Sequence, residues 1–221
     1  MSSTRHIPIF PLPNVVLFPK VHLPLHIFEP RYRQMVKDAM IAQGMIGMAL
    51  LRGNWTKTYH ENPEIYSVGC MGEIVKATPF PDGRYNIVLF GVQEFMIQEH
   101  ILDDTPYRQA RVVLREEPAA SEKILPGSLK KEILVLLGRA LEEKESGLIK
   151  ILADPSLEGT TWLNLCCFSL NLPTLEKQSL LEAKSLEERA NYLLNVLHFR
   201  VAERVTPFQG LLEPKGGKTP H

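Results

Sequence analysis

Prolines interrupt the most apolar part of the chain, the stretch from residue 7 to residue 35, IPIFPLPNVVLFPKVHLPLHIFEPRYRQM. A proline fixes φ and lacks a backbone N–H donor, so strands in this stretch must be short or lie at a sheet edge. Apolar side chains nevertheless occupy both faces of the stretch. Such a segment suits a small, strongly bent β-barrel whose rim stays open to a ligand. The interrupting residues are Pro8, Pro11, Pro13, Pro19 and Pro24.

One helix is expected within this part of the chain. Residues 29–42 place Tyr32, Met35, Val36 and Ala39 at three- and four-residue spacing, a pattern typical of an amphipathic helix. A short apolar run then follows at residues 46–51, and its length favours a buried strand.

The next strands are predicted from a turn sequence and from alternation. Residues 69–78 and 84–90 flank Pro-Phe-Pro-Asp-Gly, in which Asp-Gly favours a tight hairpin turn, so we expect a protruding hairpin with Phe80 near its tip. Apolar side chains then alternate at Ala110, Val112 and Leu114. Altogether the patterns predict about six strands with one inserted helix.

Strand patterns end near residues 116–120, and helical patterns follow. Apolar residues at helical spacing after Ser128, an almost wholly apolar run at 162–172 and a segment at 174–184 predict three helices. Ser185 and Glu188 form a capping-box pattern that opens another. The predicted fold class is therefore α+β: a β-barrel subdomain at residues 1–118, an all-α helical bundle at 119–206 and a flexible tail at 207–221.

Composition excludes several classes of function. Lys plus Arg and Asp plus Glu each total 25, and this zero net charge makes a nucleic-acid partner unlikely. Three cysteines do not form a disulfide framework. No segment approaches the roughly 20 apolar residues that cross a bilayer, so we expect no membrane association and a cytoplasmic location.

The search for chemistry is mostly negative. No G-x-x-x-x-G-K-[ST] loop occurs that could cradle a nucleotide. His22, His26 and Glu29 are potential metal ligands, but a second ligand pair is missing, and exposed or backbone-bonded histidines are the simpler interpretation. Cys70 is better explained as a small core residue than as a nucleophile. We therefore predict no catalytic residue, no metal and no cofactor.

The proline-rich stretch resembles the opening of the N-terminal substrate-recognition domain of Lon proteases. The matching pieces are a strand at 9–12, a turn at Asn14, a V-V-x-F-P strand at 15–19 and a P-L-x-x-F strand at 24–28. A second block, residues 66–97, resembles the V-G-x-x-x-x-I, P-D-G and G-x-x-R-F elements of the family in the same order. Glu94 departs from the arginine that the family often has there.

The C-terminal segment at residues 170–197 also resembles the helical end of that domain, so the resemblance covers nearly the whole chain. It implies a PUA-like barrel followed by helices. It also implies a non-enzymatic recognition domain standing alone, because the ATPase and peptidase segments of a full Lon protease are absent from this sequence.

The resemblance implies that the chain binds unfolded or damaged polypeptides, or a protein partner, in a groove between barrel and helices. Two alternatives stay open: a PUA-like domain that binds RNA or a small ligand, and an adaptor that docks to a protease or chaperone. A weak homo-oligomer is also possible. Arg31 or Arg33 projects from the barrel to engage a partner's acidic or backbone groups in one interpretation. In the structural alternative, which we favour, Arg33 pairs within the domain and Tyr32 lies in the core. The candidate binding residues are Phe18, Leu23, Leu25, Phe28, Arg31, Tyr32, Phe80 and Arg84.

Overall fold

A computed structural model of the chain describes residues 4–57, 59, 62–115, 125–140, 146–157 and 159–205. Six strands and six α-helices occur in these ranges, and the strands precede all but one of the helices. The strands are β1 (Thr4–Leu12), β2 (His22–Ile27), β3 (Met45–Leu50), β4 (Val68–Pro79), β5 (Tyr85–Ile101) and β6 (Arg108–Leu114). The helices are α1 (Pro30–Ile41), α2 (Gly127–Ala140), α3 (Ser146–Leu152), α4 (Gly159–Ser169), α5 (Thr174–Glu182) and α6 (Leu186–Val205).

The six strands form one strongly curved, barrel-like sheet in the order β2-β5-β4-β3-β1-β6. The long strand β5 also pairs with β6, so the pairings return on themselves through β5, β4, β3, β1 and β6. The first half of β5 pairs with β2 and its second half with β6. Only β1 and β3 run parallel. The predicted α+β class, with six strands and one inserted helix before the bundle, is confirmed.

The segment at residues 15–19 is not the strand that the family pattern suggested. Val16, Leu17 and Phe18 are buried, but the segment joins no sheet pairing. Pro13 precedes it and Pro19 ends it, and neither can donate to a ladder, so the chain crosses the sheet instead of extending it. The crossing is close: a Cβ added to Gly91 of β5 would lie 2.0 Å from the Phe18 carbonyl oxygen.

Two apolar clusters stabilise the fold. The smaller cluster fills the interior of the sheet with inward-facing residues of the curved strands. The larger one packs Phe18 and the outer face of the sheet against α1 and the C-terminal helices. Burying this area is the main favourable contribution to stability. Members of the interior cluster are Ile7, Ile9, Ala49, Met71, Phe95, Ala110, Val112 and Leu114.

The helices match their predicted segments with two differences. The run at 162–172 is helical only to Ser169, and the short helix α3 was not expected. The capping box at α6 is present in a shifted form. The Glu188 amide donates to Ser185 Oγ over 3.0 Å, but the Glu188 carboxylate accepts from the Lys184 amide and not from that of Ser185.

The predicted domain boundary, at about residue 118, and the predicted tail at 207–221 lie outside the described residues. None of the described helices combines the length and apolar character that spanning a lipid bilayer requires.

Glu94, the residue that departs from the family pattern, lies at the junction between sheet and helices. Its carboxylate pairs with Arg189 of α6 and, over 2.7 Å, with Arg115. Arg189 is only 5% exposed and also donates to Asn164 Oδ1 over 2.5 Å and to the Leu180 carbonyl oxygen over 2.8 Å. A buried cation is tolerated when it is paired and hydrogen-bonded in this way. The ion pairs therefore join the sheet to the helical region.

Candidate recognition surface

The structure separates the predicted binding residues into buried and exposed groups. Phe18, Leu23 and Tyr32 are buried in the larger apolar cluster and offer no surface to a partner. Leu25 is half-buried and packs against the same cluster. Tyr32 therefore takes the core position of the structural alternative, with its ring 4.4 Å from that of Phe10.

An exposed aromatic surface remains at the end of the β4–β5 hairpin. Phe28 is 60% exposed there, and its ring stacks at 6.2 Å on the ring of His26. His26 also meets Phe80 edge-on at 5.8 Å, and the Arg84 guanidinium lies over the Phe80 ring at 5.6 Å. We call these four residues the hairpin-tip surface. It combines large apolar area with polar groups that can donate hydrogen bonds, a composition typical of binding hot spots.

Local hydrogen bonds hold the polar members of this surface in place. His26 Nδ1 lies 2.7 Å from Asn86 Oδ1 on the neighbouring strand. Arg84 donates from its backbone amide and from Nε to the Asp82 carboxylate, over 3.1 and 2.7 Å. These bonds from Arg84, led by the backbone amide, lower the pKa of Asp82. The hairpin tip therefore presents preformed side chains.

Gly83 fixes the shape of the turn. Its φ is +83°, a conformation that glycine adopts without strain. An added Cβ would also lie 2.1 Å from Arg33 Nη2, so the Arg33 side chain covers the turn from α1. The Asp-Gly signal therefore predicted the hairpin correctly, and the contact with α1 orients it.

A groove of about 410 Å³ continues from this surface across the solvent-exposed face of β2, β5 and β4, opposite the face that packs against the helices. Its floor and walls combine aliphatic side chains with the stem of a lysine and two small polar groups. It is lined by Pro24, Leu25, His26, Lys76, Thr78, Asn86, Ile87 and Val88.

Arg31 lies apart from the hairpin, at the start of α1. Its guanidinium pairs with Glu29 over 2.9 Å and stacks between the rings of Tyr32 and Tyr59, at 4.5 and 5.2 Å from their centroids. The Tyr59 hydroxyl donates to Glu29 over 2.7 Å, and burial together with this bond raises the pKa of Tyr59. Arg31 and the hairpin tip therefore form two separate regions.

The histidines and Cys70 hold positions that suit structural roles. His22 and His26 share the exposed face of β2, but the His22 ring packs at 4.9 Å against Phe90. The described residues include no group of three His, Cys, Asp or Glu side chains arranged to hold a metal ion. Cys70 is fully buried, and burial raises the pKa of its thiol well above the usual value. It is therefore a core residue.

Sequence reasoning missed His26 as a member of the aromatic surface. It treated His26 only as a possible metal ligand, although its position two residues before Phe28 places both side chains on one face of an extended segment. That spacing was the available signal. No sequence signal predicts the contact between His26 and Phe80, because that contact depends on how β2 pairs with the hairpin.

Comparison with known proteins finds relatives whose sequences match most of this chain. The Lon protease of Parabacteroides distasonis is 28% identical over 200 residues, which cover 87% of this chain and 24% of that protein. The Lon protease of Dictyoglomus thermophilum is 29% identical over 193 residues, covering 83% of this chain and 23% of that protein. The chain thus spans about a quarter of the length of these relatives.

Solved structures show the same fold. A Lon N-terminal domain protein from Xanthomonas campestris superposes with a TM-score of 0.63 at 22% identity, covering 86% of this chain and 98% of that one. The N-terminal domain of the Mycobacterium avium complex Lon protease gives a TM-score of 0.62 at 17% identity, covering 90% and 99%. The family model for the ATP-dependent protease La (LON) substrate-binding domain matches residues 6–198. The chain belongs to the LON substrate-binding domain family.

Proposed function

We propose that this chain is a non-catalytic recognition module that captures exposed apolar segments of unfolded or damaged polypeptides. Family membership supports a role in substrate binding. The sequence contains no phosphate-binding G-x-x-x-x-G-K-[ST] loop, so ATP hydrolysis is not among the activities we assign to it.

The observation that carries the proposal is the exposure of Phe28 within the hairpin-tip surface. A phenylalanine that is 60% exposed and stacked on a second ring leaves apolar area in water. Covering that area releases about 25 cal/mol for each Å² removed from water. Unfolded chains offer the apolar side chains that would cover it, whereas native proteins keep most of theirs buried.

The surrounding groups suit an extended peptide as the ligand. Arg84 borders the rings, and its guanidinium can donate to peptide carbonyl groups, which every polypeptide has regardless of its sequence. The groove beside them offers room for further side chains. Such a surface would select for exposed apolar character and not for a defined sequence.

Binding to a permanently unfolded protein tests the proposal. Fluorescently labelled, reduced and carboxymethylated α-lactalbumin is titrated with the wild type and with Phe28→Ser, and native α-lactalbumin serves as the second ligand. We expect saturable binding of the unfolded form only. The substitution should weaken this binding by about tenfold or more, since aromatic residues dominate binding hot spots.

Phe199→Ser is the matched control, because Phe199 is 65% exposed but lies on α6, away from the hairpin. It should leave the affinity within about twofold. Equal binding of the native and unfolded ligands, or equal losses for the two variants, would contradict the proposal.

A further inference from the structure

Arg108, at the start of β6, is a half-buried cation without an acidic partner. Its Nη2 donates to the Pro63 carbonyl oxygen over 2.6 Å. Within the part of the chain that the structure describes, no Asp or Glu carboxylate lies within ion-pair distance of it. A guanidinium has five N–H donors, so most of its hydrogen-bonding capacity stays available. Partial removal from water makes an ion pair favourable for this guanidinium, because a charge that loses solvent is stabilised by an opposite charge.

Arg108 lines a pocket of about 260 Å³ between the start of α1 and the β5–β6 connection. Arg31 lines the same pocket, and His100 lies at its exposed rim. Asn62 and Thr105 add polar groups to the wall. Three nitrogen-bearing side chains from α1, β5 and β6 therefore meet in one small cavity.

Arg108 is the cation lining this pocket that no described carboxylate neutralises through an ion pair. Arg31 is neutralised in large part by Glu29. Asp103 also lines the pocket, but its carboxylate already accepts bonds from the Thr105 amide and hydroxyl and from the Gln109 side chain. Burial and then the Arg31 charge lower the pKa of Arg108. Partial desolvation and the Arg108 charge likewise lower the pKa of His100. Both shifts arise from removal of the groups from water, followed by repulsion from a neighbouring guanidinium.

We propose that this pocket binds a carboxylate, with the Arg108 guanidinium as the principal donor and Arg31 as the second. A planar guanidinium matches a carboxylate through two parallel N–H···O bonds. A carboxylate carries one negative charge, so Asp103 repels it less than it would repel a phosphate dianion, and the unpaired Arg108 guanidinium can balance that charge. The volume lies below the about 300–1,000 Å³ of sites for drug-sized ligands, so it suits a side chain or chain end.

The source of the carboxylate follows from the proposed function and rests on it. A captured polypeptide carries Asp and Glu side chains and a terminal carboxylate. The pocket would add a preference for acidic groups to the apolar contacts of the hairpin-tip surface. The carboxylate site itself does not depend on those contacts, so the two proposals can fail separately.

Isothermal titration with short peptides tests the site. The probes are N-acetylated tri-glutamate amide, the matched tri-glutamine amide and free glutarate, a small dicarboxylate. We expect saturable binding of tri-glutamate and glutarate but not of tri-glutamine. Arg108→Gln should weaken binding of both acidic probes at least tenfold, because hydrogen bonds to charged groups are the strong ones.

Arg111→Gln is the matched control. Arg111 lies on the same strand and carries the same charge, but it is exposed and pairs with Glu99 over 3.2 Å outside the pocket. It should change the affinity less than twofold. Equal losses for the two variants would show general charge attraction and overturn the site. Binding of glutarate without tri-glutamate would overturn the polypeptide as its source.

Amide chemical shifts of the wild type provide a second measurement that needs no variant. Glutarate should shift the resonances of residues 100–109 and the start of α1 in proportion to occupancy. Shifts confined to other parts of the chain, or no saturable shift at all, would overturn the proposal even if Arg108→Gln failed to fold.

Discussion

Gly91 is the residue at which the sheet and the 15–19 segment approach each other most closely. An added Cβ would meet the carbonyl oxygen and carbon of Phe18, at 2.0 and 2.9 Å. Both are backbone atoms and cannot rotate away. The buried position of Phe18, and with it the contact of the Arg189 guanidinium over the Phe18 ring at 5.7 Å, depends on this glycine.

Replacing Gly91 with alanine should therefore lower the free energy of unfolding by about 3 kcal/mol, the upper part of the usual range for overpacking. Urea denaturation followed by circular dichroism measures the change. Gly138→Ala is the control, since Gly138 lies in α2 with nothing within 4 Å of its added Cβ. It should raise stability by about 0.5–1 kcal/mol through helix propensity. A Gly91→Ala protein as stable as the wild type would contradict the close approach.

At the scale of elements, helix α6 begins at a cap that its sequence predicts. Ser185 Oγ accepts from the Glu188 amide, and Glu188 in turn binds the Lys184 amide over 2.7 Å. Two backbone donors that the helix start leaves without partners are thereby satisfied. The position matters because Arg189, in the first turn of α6, joins the helical region to Glu94.

Substituting Ser185 with alanine should lower the free energy of unfolding by about 1 kcal/mol, the usual cost of losing an N-cap. Ser179→Ala provides the comparison, because Ser179 is exposed within α5 and its hydroxyl only bonds back to the Leu175 carbonyl oxygen. It should leave stability within about 0.5 kcal/mol. Equal changes for the two serines would show that the cap contributes nothing specific.

Element prediction succeeded where the pattern is local. The alternation at Ala110, Val112 and Leu114 gave β6 correctly, and Asp82-Gly83 gave the hairpin. Helix α3 was not predicted, because its seven residues are too few to show a clear helical period. The 15–19 segment was wrongly predicted to be a strand. Its side chains are apolar because they pack in the larger cluster against the helices, although its backbone joins no sheet.

Prediction of the site was limited for a related reason. Phe18 and Phe28 are both phenylalanines in one proline-rich stretch, yet one is fully buried and the other is 60% exposed. Long-range packing decides between them, and no local spacing reports it. Arg108 likewise has no motif around it, because its half-buried position depends on contact with the Pro63 segment 45 residues away.

At the scale of the whole molecule, the Glu94, Arg115 and Arg189 network fastens the sheet to the helices. Arg115 donates to the carbonyl oxygens of Leu181 and Ala183 at the end of α5, over 3.0 and 2.9 Å. Gln178 adds a bond to the Val68 carbonyl oxygen over 3.0 Å. The polar groups on both sides of this junction are therefore satisfied together.

The substitution Arg189→Leu should lower the free energy of unfolding by about 3–5 kcal/mol. It removes one of the two cations that pair with the Glu94 carboxylate, in a site that water reaches poorly. Hydrogen exchange should also rise at residues 180–183. Arg111→Leu breaks an exposed pair and should cost less than about 1 kcal/mol. If both leucine variants were equally stable, the network would not be the connection between the two regions.

Strand β5 runs for 17 residues from the hairpin tip to the rim of the Arg108 pocket. At about 3.3 Å per residue its contour is at most about 55 Å. An extended polypeptide of roughly 16 residues is thus long enough to touch both of its ends. Structureless loops of that length are uncommon in native domains, whereas any denatured chain supplies them. The length of β5 would then favour unfolded over folded proteins, because only an unfolded protein offers enough extended chain to contact both ends of the strand.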